Sequence, residues 1–350
     1  MRALARELKL GLNTGYWAGG PPPGAAGSVA EAERLGFDSI WTAEAYGSDC
    51  LTPLAWWGAK TSKIKLGTSI AQLSARQPAA LAMAAMTLDH LSQGRVLLGI
   101  GASGPQVVEG WYGRPYPRPL ERTREYVDIL RKIFRREERV EYQGRHYQLP
   151  YRGEDGMGLG KALKSTLHPF RQDIPVYLAA EGPKNVSLAA EIADGWLPLY
   201  FTPKMDKFYR DALDEGFAKR TDGKTIDDFD VCSMITIIPT DDPEAGANFL
   251  RPTLALYMGG MGARGANFHH DVFVRMGWEG VAKKVQDLYL EGRKDEAARE
   301  IPLALVEDVA LIGPVGKIKD ELPKWKDTCL TTMMIAGPPQ VMDLAANLIL

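Results

Sequence analysis

The sequence is poor in the residues that cross-link small proteins or bind metals. It contains 3 cysteines and 5 histidines among its 350 residues. Cys50, Cys232 and Cys329 lie far apart and match no zinc-binding or redox spacing. Because a chain of this length buries a large core without staples, we expect free thiols in a reducing compartment and no metal site.

An excess of charge of one sign and long apolar runs are also missing. The 42 basic side chains nearly balance the 44 acidic ones, and the formal net charge is -2. This balance predicts no nucleic-acid partner. No apolar run approaches the ~20 residues of a membrane span, and the charged N-terminus is not typical of a signal peptide. We therefore predict a cytoplasmic protein that acts on a small molecule and has no membrane partner.

Short apolar runs that alternate with amphipathic segments are abundant instead. Eight such runs predict parallel strands in a (β/α)8 TIM barrel, as one domain over residues 1–350. A doubly wound open sheet is the alternative. Two glycine-rich stretches, 151–172 and 259–271, are predicted as lids within insertions at about 140–172 and 259–300, or as insertions without a role. The predicted strands are 8–14, 37–42, 64–70, 95–100, 174–179, 195–197, 230–237 and 331–335.

Candidate site residues follow the first two predicted strands, because barrel active sites lie at the carboxyl ends of the strands. Asn13, Tyr16 and Trp17 follow the first strand. Their side chains could bind a substrate or simply pack at the rim. Glu44 follows the second strand, where a carboxylate can accept a hydrogen bond from a ligand or act as a general base. A solvated glutamate is the alternative.

Residues after the fourth and fifth strands suit a close approach of a ligand to the backbone. Gly101–Pro105 lacks the spacing of a dinucleotide fingerprint, yet Ser103 and Gly104 could contact a cofactor. After the fifth strand, a helix predicted to begin near Pro183 would offer free N–H groups to a phosphate. The residues of this predicted anion site are Glu181, Gly182, Lys184 and Asn185. Such a site alone would also suit an unrelated phosphosugar barrel.

Several of these segments resemble the bacterial-luciferase-like superfamily. The matching stretches are 36–41 with Glu44, 65–70, 87–95 with 98–101, and 193–198. Segments 101–110 and 257–262, the latter with Asn267 and Phe268, resemble the branch that uses the deazaflavin coenzyme F420. The resemblance covers residues from about 8 to 200, whereas the chain beyond about residue 200 is weakly matched until the eighth strand.

The resemblance implies that a flavin or deazaflavin ring lies over the strand ends. A non-prolyl cis peptide would support the ring, and here it would join Ser69 to Ile70. Gln72 would lie near the polar edge of the ring. Gly195 and Trp196 would line the pocket, and the cofactor phosphate would rest on the backbone that follows the fifth strand.

The sequence departs from some members of that superfamily. Members that oxidise alcohols or sugar phosphates often carry an Asp-His pair after the second strand, where this chain has Glu44 and Ala45. A glutamate after the fourth strand, near Pro105, is also missing. Glu44 is therefore the one carboxylate that we place at the ring, as both a cofactor-binding and a catalytic candidate.

We expect hydride transfer between F420 and an organic substrate, which would stack near Tyr16, Trp17, Trp111 and Tyr112. The alternatives are a monooxygenase that uses reduced FMN on the same barrel and a cofactor-binding protein without turnover. A homodimer is expected, because barrels of this type often pair through helices near the second and third strands. The sequence does not identify the substrate.

Overall fold

The structure, a computed structural model, describes residues 7–17 and 19–350. Eight strands in these residues pair in parallel and close into a ring in the order β1-β2-β3-β5-β8-β9-β10-β13. The short strand β4 follows β3 in the chain and, like β3, pairs with β5. This is the predicted (β/α)8 barrel. The strands are β1 (Lys9–Gly15), β2 (Ser39–Thr42), β3 (Lys65–Thr68), β4 (Ala71–Gln72), β5 (Val96–Gly101), β6 (Tyr142–Gln143), β7 (Gln148–Leu149), β8 (Val176–Ala179), β9 (Gly195–Leu197), β10 (Asp230–Met234), β11 (Thr236–Pro239), β12 (Ala310–Gly313) and β13 (Thr332–Ile335).

Helices occupy the connections between the strands. Short 3-10 turns lie at Pro203–Met205 and Ile226–Asp228, and π-helical segments lie at Leu256–Gly260 and Val274–Trp278. The α-helices are α1 (Ala25–Arg34), α2 (Leu51–Gly58), α3 (Pro78–Leu91), α4 (Pro105–Gly110), α5 (Pro119–Arg135), α6 (Pro183–Ile192), α7 (Asp206–Phe217), α8 (Pro243–Ala255), α9 (Phe268–Phe273), α10 (Glu279–Leu290), α11 (Lys294–Arg299), α12 (Leu303–Val309), α13 (Val315–Lys326) and α14 (Pro339–Ile349).

Helix α5 shows how the apolar pattern fixes orientation. Its apolar residues recur at helical spacing, and Tyr126, Ile129 and Leu130 are fully buried against the barrel wall. Pro119 opens the helix, where its missing N–H costs nothing. Most charged residues of the helix lie on the opposite, more exposed face, as expected for an amphipathic helix, although Glu125 is buried.

The barrel interior is filled by two large aromatic side chains placed against glycines of neighbouring strands. Trp41 contacts Tyr177 edge to face, with ring centroids 5.7 Å apart. A Cβ atom on Gly67 would lie 2.4 Å from the Trp41 ring, and one on Gly195 would lie 2.1 Å from the Tyr177 ring. Because the two glycines leave room for the two aromatic rings, the barrel interior is a packed core and not a pore. A ligand must therefore bind at the mouth, above this plug.

Two parts of the chain differ from the predicted elements. The predicted seventh strand, 230–237, divides at Ile235: β10 stays in the barrel, whereas β11 leaves it and pairs with β12 in a separate parallel ribbon. The stretch predicted as a glycine-rich lid at 259–271 is a loop only over 261–267, because residues 259–260 end the π-helical segment that extends α8 and residues 268–271 begin α9. Residues 279–326, where we predicted no element, contain four helices and β12.

The other glycine-rich stretch, 151–172, holds no helix or strand in the structure, and an isolated bridge joins its Leu163 to Val140. The strands β6 and β7, which precede this stretch, form an antiparallel hairpin. Among the described residues, no helix is both long enough and apolar enough to cross a membrane.

Candidate functional site

The floor of the mouth is formed where β3, β5 and β8 end. The peptide bond between Ser69 and Ile70 is cis and lies between β3 and β4, at the position implied by the resemblance. The Ile70 side chain lies against the carboxyl ends of the next two strands: a Cβ atom on Gly101 would be 2.6 Å from Ile70 Cδ1 and 3.2 Å from Ala179 Cβ. The absence of a side chain at Gly101 therefore leaves a flat surface on which a ring could rest.

Glu44 is the carboxylate predicted at the ring, and its side chain is only 4% exposed. Its Oε1 accepts hydrogen bonds from Arg76 at 2.6 Å and from the backbone N–H of Gln72 at 2.7 Å. Burial opposes the charge on Arg76, but the hydrogen bond and negative charge of Glu44 raise the pKa of the guanidinium. Glu44 is committed to a buried ion pair, which suits positioning better than proton transfer.

Asp49 and Cys50 complete the cluster around Arg76. Potential ligand atoms of Glu44, Asp49 and Cys50 lie within 4.8 Å of one another. Arg76 also donates to Asp49 at 3.1 Å, so the guanidinium supplies the positive charge that a metal ion would otherwise bring. Burial, followed by the charge of Glu44, raises the pKa of the Cys50 thiol, which keeps it protonated and unreactive.

Gln72 presents an unsatisfied acceptor at the mouth. Its side chain donates to the carbonyls of Glu44 and Ala45 at 3.2 and 3.3 Å, which leaves Oε1 buried without a hydrogen-bond partner. Gln72 is only 2% exposed. A buried polar atom without a partner costs free energy, and a bound ligand with an N–H or O–H group would remove that cost.

Tyr112 and Trp111, both predicted to contact substrate, differ in their surroundings. The Tyr112 hydroxyl donates to the carbonyl of Ala45 at 3.1 Å, which ties it to the segment that carries Glu44. Trp111 is 65% exposed, so its ring lies at the open edge of the same region. Tyr112 is thus part of the rim structure, whereas Trp111 is free to contact a large ligand.

Ser103 and Gly104 follow β5, as predicted. Ser103 has a φ of 59°, in the left-handed region that serine rarely adopts. Its carbonyl accepts a hydrogen bond of 2.7 Å from Tyr116, which holds this turn. Gly104 precedes the short helix α4 in an extended conformation. Both residues are placed beside the floor, where they could meet a cofactor.

The three candidates at the end of β1, Asn13 within the strand and Tyr16 and Trp17 just after it, have different surroundings. The Oδ1 atom of Asn13 accepts a hydrogen bond of 2.8 Å from the backbone N–H of Gly15. The Tyr16 hydroxyl lies near that of Tyr257, which is in the first π-helical segment. Trp17 instead packs against Trp57 of α2 and lines a groove of about 540 Å³ beside that helix. The structure therefore separates Trp17 from Tyr16.

At the predicted anion site after β8, the helix begins as expected, but the side chain of Glu181 forms a contact that was not predicted. Helix α6 begins as expected, with the N–H of Asn185 bonded to the Gly182 carbonyl at 3.0 Å, and Lys184 is exposed. The Glu181 side chain, however, pairs with His269 of α9: Oε1 lies 2.5 Å from Nδ1. A carboxylate in this place works against a phosphate there, since the two negative charges repel. The predicted phosphate contact rests on the backbone alone.

Gly195 and Trp196 do not face the mouth, contrary to the expectation that they line the cofactor pocket. Gly195 begins β9 and lies against Tyr177 inside the barrel plug. Trp196 is fully buried; its indole donates to the Ala180 carbonyl at 2.8 Å and its ring packs on Tyr209 of α7 at 4.8 Å. Because successive strand residues point to opposite faces, Trp196 faces the helices while Leu197 faces the interior.

Four residues at the mouth were not predicted: Arg76, Tyr257, His269 and Arg275. His269 was not among the candidates, because its pairing with the distant carboxylate of Glu181 has no local signal in the sequence. The two partners of that pair are 88 positions apart, and no local pattern joins them. The segment 257–262 was noted for its family resemblance and the predicted lid began at residue 259, whereas the structure places Tyr257 in the π-helical segment Leu256–Gly260.

Comparisons with known proteins agree with this geometry. The family model described as luciferase-like monooxygenase matches residues 12–332. A Mycobacterium tuberculosis protein, provisionally named a coenzyme F420-dependent oxidoreductase, is 53% identical over 97% of this chain and 98% of its own length. A 5,10-methylenetetrahydromethanopterin reductase of Archaeoglobus fulgidus is 30% identical over 83% of this chain and 90% of its own. The structure of the F420-dependent tetrahydromethanopterin reductase of Methanopyrus kandleri superposes with a TM-score of 0.78 at 21% identity, covering 98% of both chains. The chain belongs to the luciferase-like monooxygenase family.

Proposed function

We propose that the protein is an oxidoreductase that transfers a hydride between coenzyme F420 and an organic substrate. The observation that carries the proposal is the unpartnered Oε1 of Gln72, buried beside the Ser69–Ile70 floor. The names of two relatives support the proposal. The Mycobacterium tuberculosis relative is named an F420-dependent oxidoreductase and the Archaeoglobus fulgidus relative a reductase. The bound deazaflavin would supply the hydride or accept it.

The chain's own residues would bind and orient the ring. Ile70 and Gly101 would form the surface under it, and Gln72 Oε1 would accept from a donor on its polar edge. Glu44 and Arg76 would hold Gln72 in place through the hydrogen bond from the Gln72 backbone to Glu44. In this arrangement Glu44 is a positioning residue, because its Oε1 already accepts two hydrogen bonds.

The remaining candidates have supporting positions in this proposal. Ser103 and Gly104 would border the ring, and the backbone after β8 would contact the phosphate. Asn13 and Tyr16 would meet the substrate from the β1 side, and the exposed ring of Trp111 would close over it from the α4 side. Trp17 is placed better for contact with α2 than with the substrate.

We also propose a homodimer, in keeping with the pairing expected from the sequence. The exposed apolar residues Trp56 of α2 and Met83 of α3, which are 66% and 57% exposed, would lie in its interface. Large apolar side chains exposed on neighbouring helices are typical of surfaces that another protein covers.

A test of hydride transfer is oxidation of reduced F420 by a panel of organic acceptors without oxygen, followed by deazaflavin absorbance. We expect turnover of at least one acceptor with reduced F420. We expect no oxygenated product when the same compounds are supplied with reduced FMN and oxygen. Oxygen uptake that depends on reduced FMN and a substrate would contradict the proposal and favour a monooxygenase. Tight F420 binding without turnover of any acceptor would favour a binding protein.

A further inference from the structure

Opposite the Glu44 cluster, the far side of the mouth contains a second polar group, which we call the His269 recess. It consists of Glu181 after β8, His269 on α9, Arg275 in the second π-helical segment and Tyr200 after β9. His269 Nδ1 lies 2.5 Å from Glu181 Oε1, and Arg275 donates to the Glu181 carbonyl at 2.9 Å. Both contacts join the barrel to helices that come much later in the chain.

Three polar atoms of the recess are buried and have no hydrogen-bond partner. They are Oε2 of Glu181, the hydroxyl of Tyr200 and Nε of Arg275. Tyr200 is only 7% exposed. Burial, together with the negative charges of nearby groups that include Glu181, raises the pKa of Tyr200 well above its ordinary range, so the hydroxyl stays a donor. Native proteins rarely leave such atoms unpaired, and three on neighbouring side chains indicate a place for a polar ligand.

The recess opens toward aromatic walls. The Tyr257 ring meets His269 edge to face with centroids 4.9 Å apart, and it also meets Tyr200 at 5.5 Å. Tyr16, which follows β1, lies near Tyr257 in the same group. The ring of Phe273 packs against that of Tyr200, with centroids 4.9 Å apart and an interplanar angle of 47°. A substrate with an apolar body and one polar end would fit these surroundings, with the polar end inside the recess.

The pairing with Glu181 fixes which histidine nitrogen can react. A carboxylate accepts hydrogen bonds, so Nδ1 of His269 carries a proton and Nε2 is the nitrogen available for exchange with a ligand. The His269 side chain is 25% exposed, which leaves it accessible from the mouth. A carboxylate that orients the imidazole of a proton-transfer residue is a recurring arrangement in enzymes.

On the basis of the proposed function, we propose that His269 is the proton donor and acceptor for the substrate, oriented by Glu181, and that the substrate is a ketone or aldehyde and its alcohol. In reduction, the hydride forms the new C–H bond at the carbonyl carbon and the carbonyl π electrons move to oxygen. That oxygen takes the Nε2 proton of His269 in its doubly protonated imidazolium form, which leaves one proton on Nδ1 beside Glu181, and solvent then returns a proton to Nε2. The reduced deazaflavin is oxidised and the carbonyl is reduced. Arg275 and Tyr200 would donate to the same oxygen.

The matched variants are His269→Asn and His270→Asn. His270 is the neighbouring residue, and its Nδ1 faces the carbonyl of Met258 at 3.3 Å, away from Glu181. We expect His269→Asn to lower the single-turnover rate with carbonyl acceptors about 100-fold to 10,000-fold. Its affinity for oxidised F420, measured by fluorescence, should stay within about threefold of the parent. His270→Asn should retain both rate and affinity.

A second readout separates proton transfer from a structural role. Added imidazole should restore part of the rate of His269→Asn and should not accelerate the parent. In the apo protein, 15N spectra of histidine should show Nδ1 of His269 protonated, and Glu181→Gln should change that signal. Unchanged turnover in His269→Asn, or equal losses in both histidine variants, would overturn the proposal.

The proposed function and this inference fail in different ways. A parent protein that does not bind F420 contradicts the proposed function. A parent that binds F420 and reduces only acceptors other than carbonyls overturns the substrate class. A parent that reduces carbonyls equally well after loss of His269 overturns the assignment of the proton-transfer residue alone.

Discussion

Replacing Gly99 with alanine is expected to destabilise the barrel by about 3 kcal/mol or more, near the upper end of what overpacking costs. A Cβ atom there would lie 1.9 Å from the Thr68 carbonyl oxygen and 2.6 Å from Leu197 Cδ1. The first neighbour is backbone and cannot rotate away. Because Thr68 directly precedes the Ser69–Ile70 floor, the shift that relieves the clash should also weaken F420 binding.

Gly110→Ala is the matched control for that substitution. Gly110 ends helix α4, and a Cβ atom there would have no neighbour within 4 Å. Alanine at such a place should change stability by no more than about 1 kcal/mol. The measurement is the urea midpoint of both variants and the parent. Equal midpoints for Gly99→Ala and Gly110→Ala would show that β3 and β5 do not approach as closely as described.

Removal of the Glu44 side chain is expected to have the second largest effect. Glu44→Ala would leave the half-buried Arg76 with Asp49 alone and the backbone N–H of Gln72 without its acceptor. Loss of one partner of a largely buried pair costs about 3 kcal/mol. F420 affinity should fall as well, since Gln72 loses the contact that holds it at the mouth.

A double-mutant cycle with Arg76→Met tests this account of Glu44. If the pair acts as a unit, the double variant should be no less stable than Glu44→Ala, with a coupling free energy of about 1.5–3 kcal/mol. Glu31→Ala, in the exposed pair of Glu31 with Arg34, is the control and should leave the urea midpoint nearly unchanged. Additive losses in the cycle would mean that Glu44 and Arg76 contribute independently.

The barrel could be predicted from the sequence because its strands are buried on both faces and appear as uninterrupted apolar runs. The same property limits the prediction, since an apolar run does not show where a strand leaves the barrel. Ile235 lies inside one such run, and the division between β10 and β11 depends on pairing with β12, which comes more than 70 residues later. The pairing of a strand with a distant strand cannot be predicted from the local sequence pattern.

The positions of the candidate residues could be predicted on the β1 to β5 side, where they lie at or just after the ends of strands. Glu44, Gln72 and the Ser69–Ile70 bond lie close together as expected. Trp196 was placed on the wrong face, although alternation from Leu197 would have corrected it. His269 could not be placed from the sequence, because its partner Glu181 meets it only when α9 folds over the mouth.

Binding of a deazaflavin at the mouth can be measured by a fluorescence titration of the purified protein with oxidised F420 and, under the same conditions, with FMN. We expect micromolar or tighter binding of F420 and binding of FMN that is weaker by about tenfold or more. Gln72→Met, which removes the unpartnered Oε1, should weaken the binding of F420. Tighter binding of FMN than of F420, or no binding of either, would contradict the account.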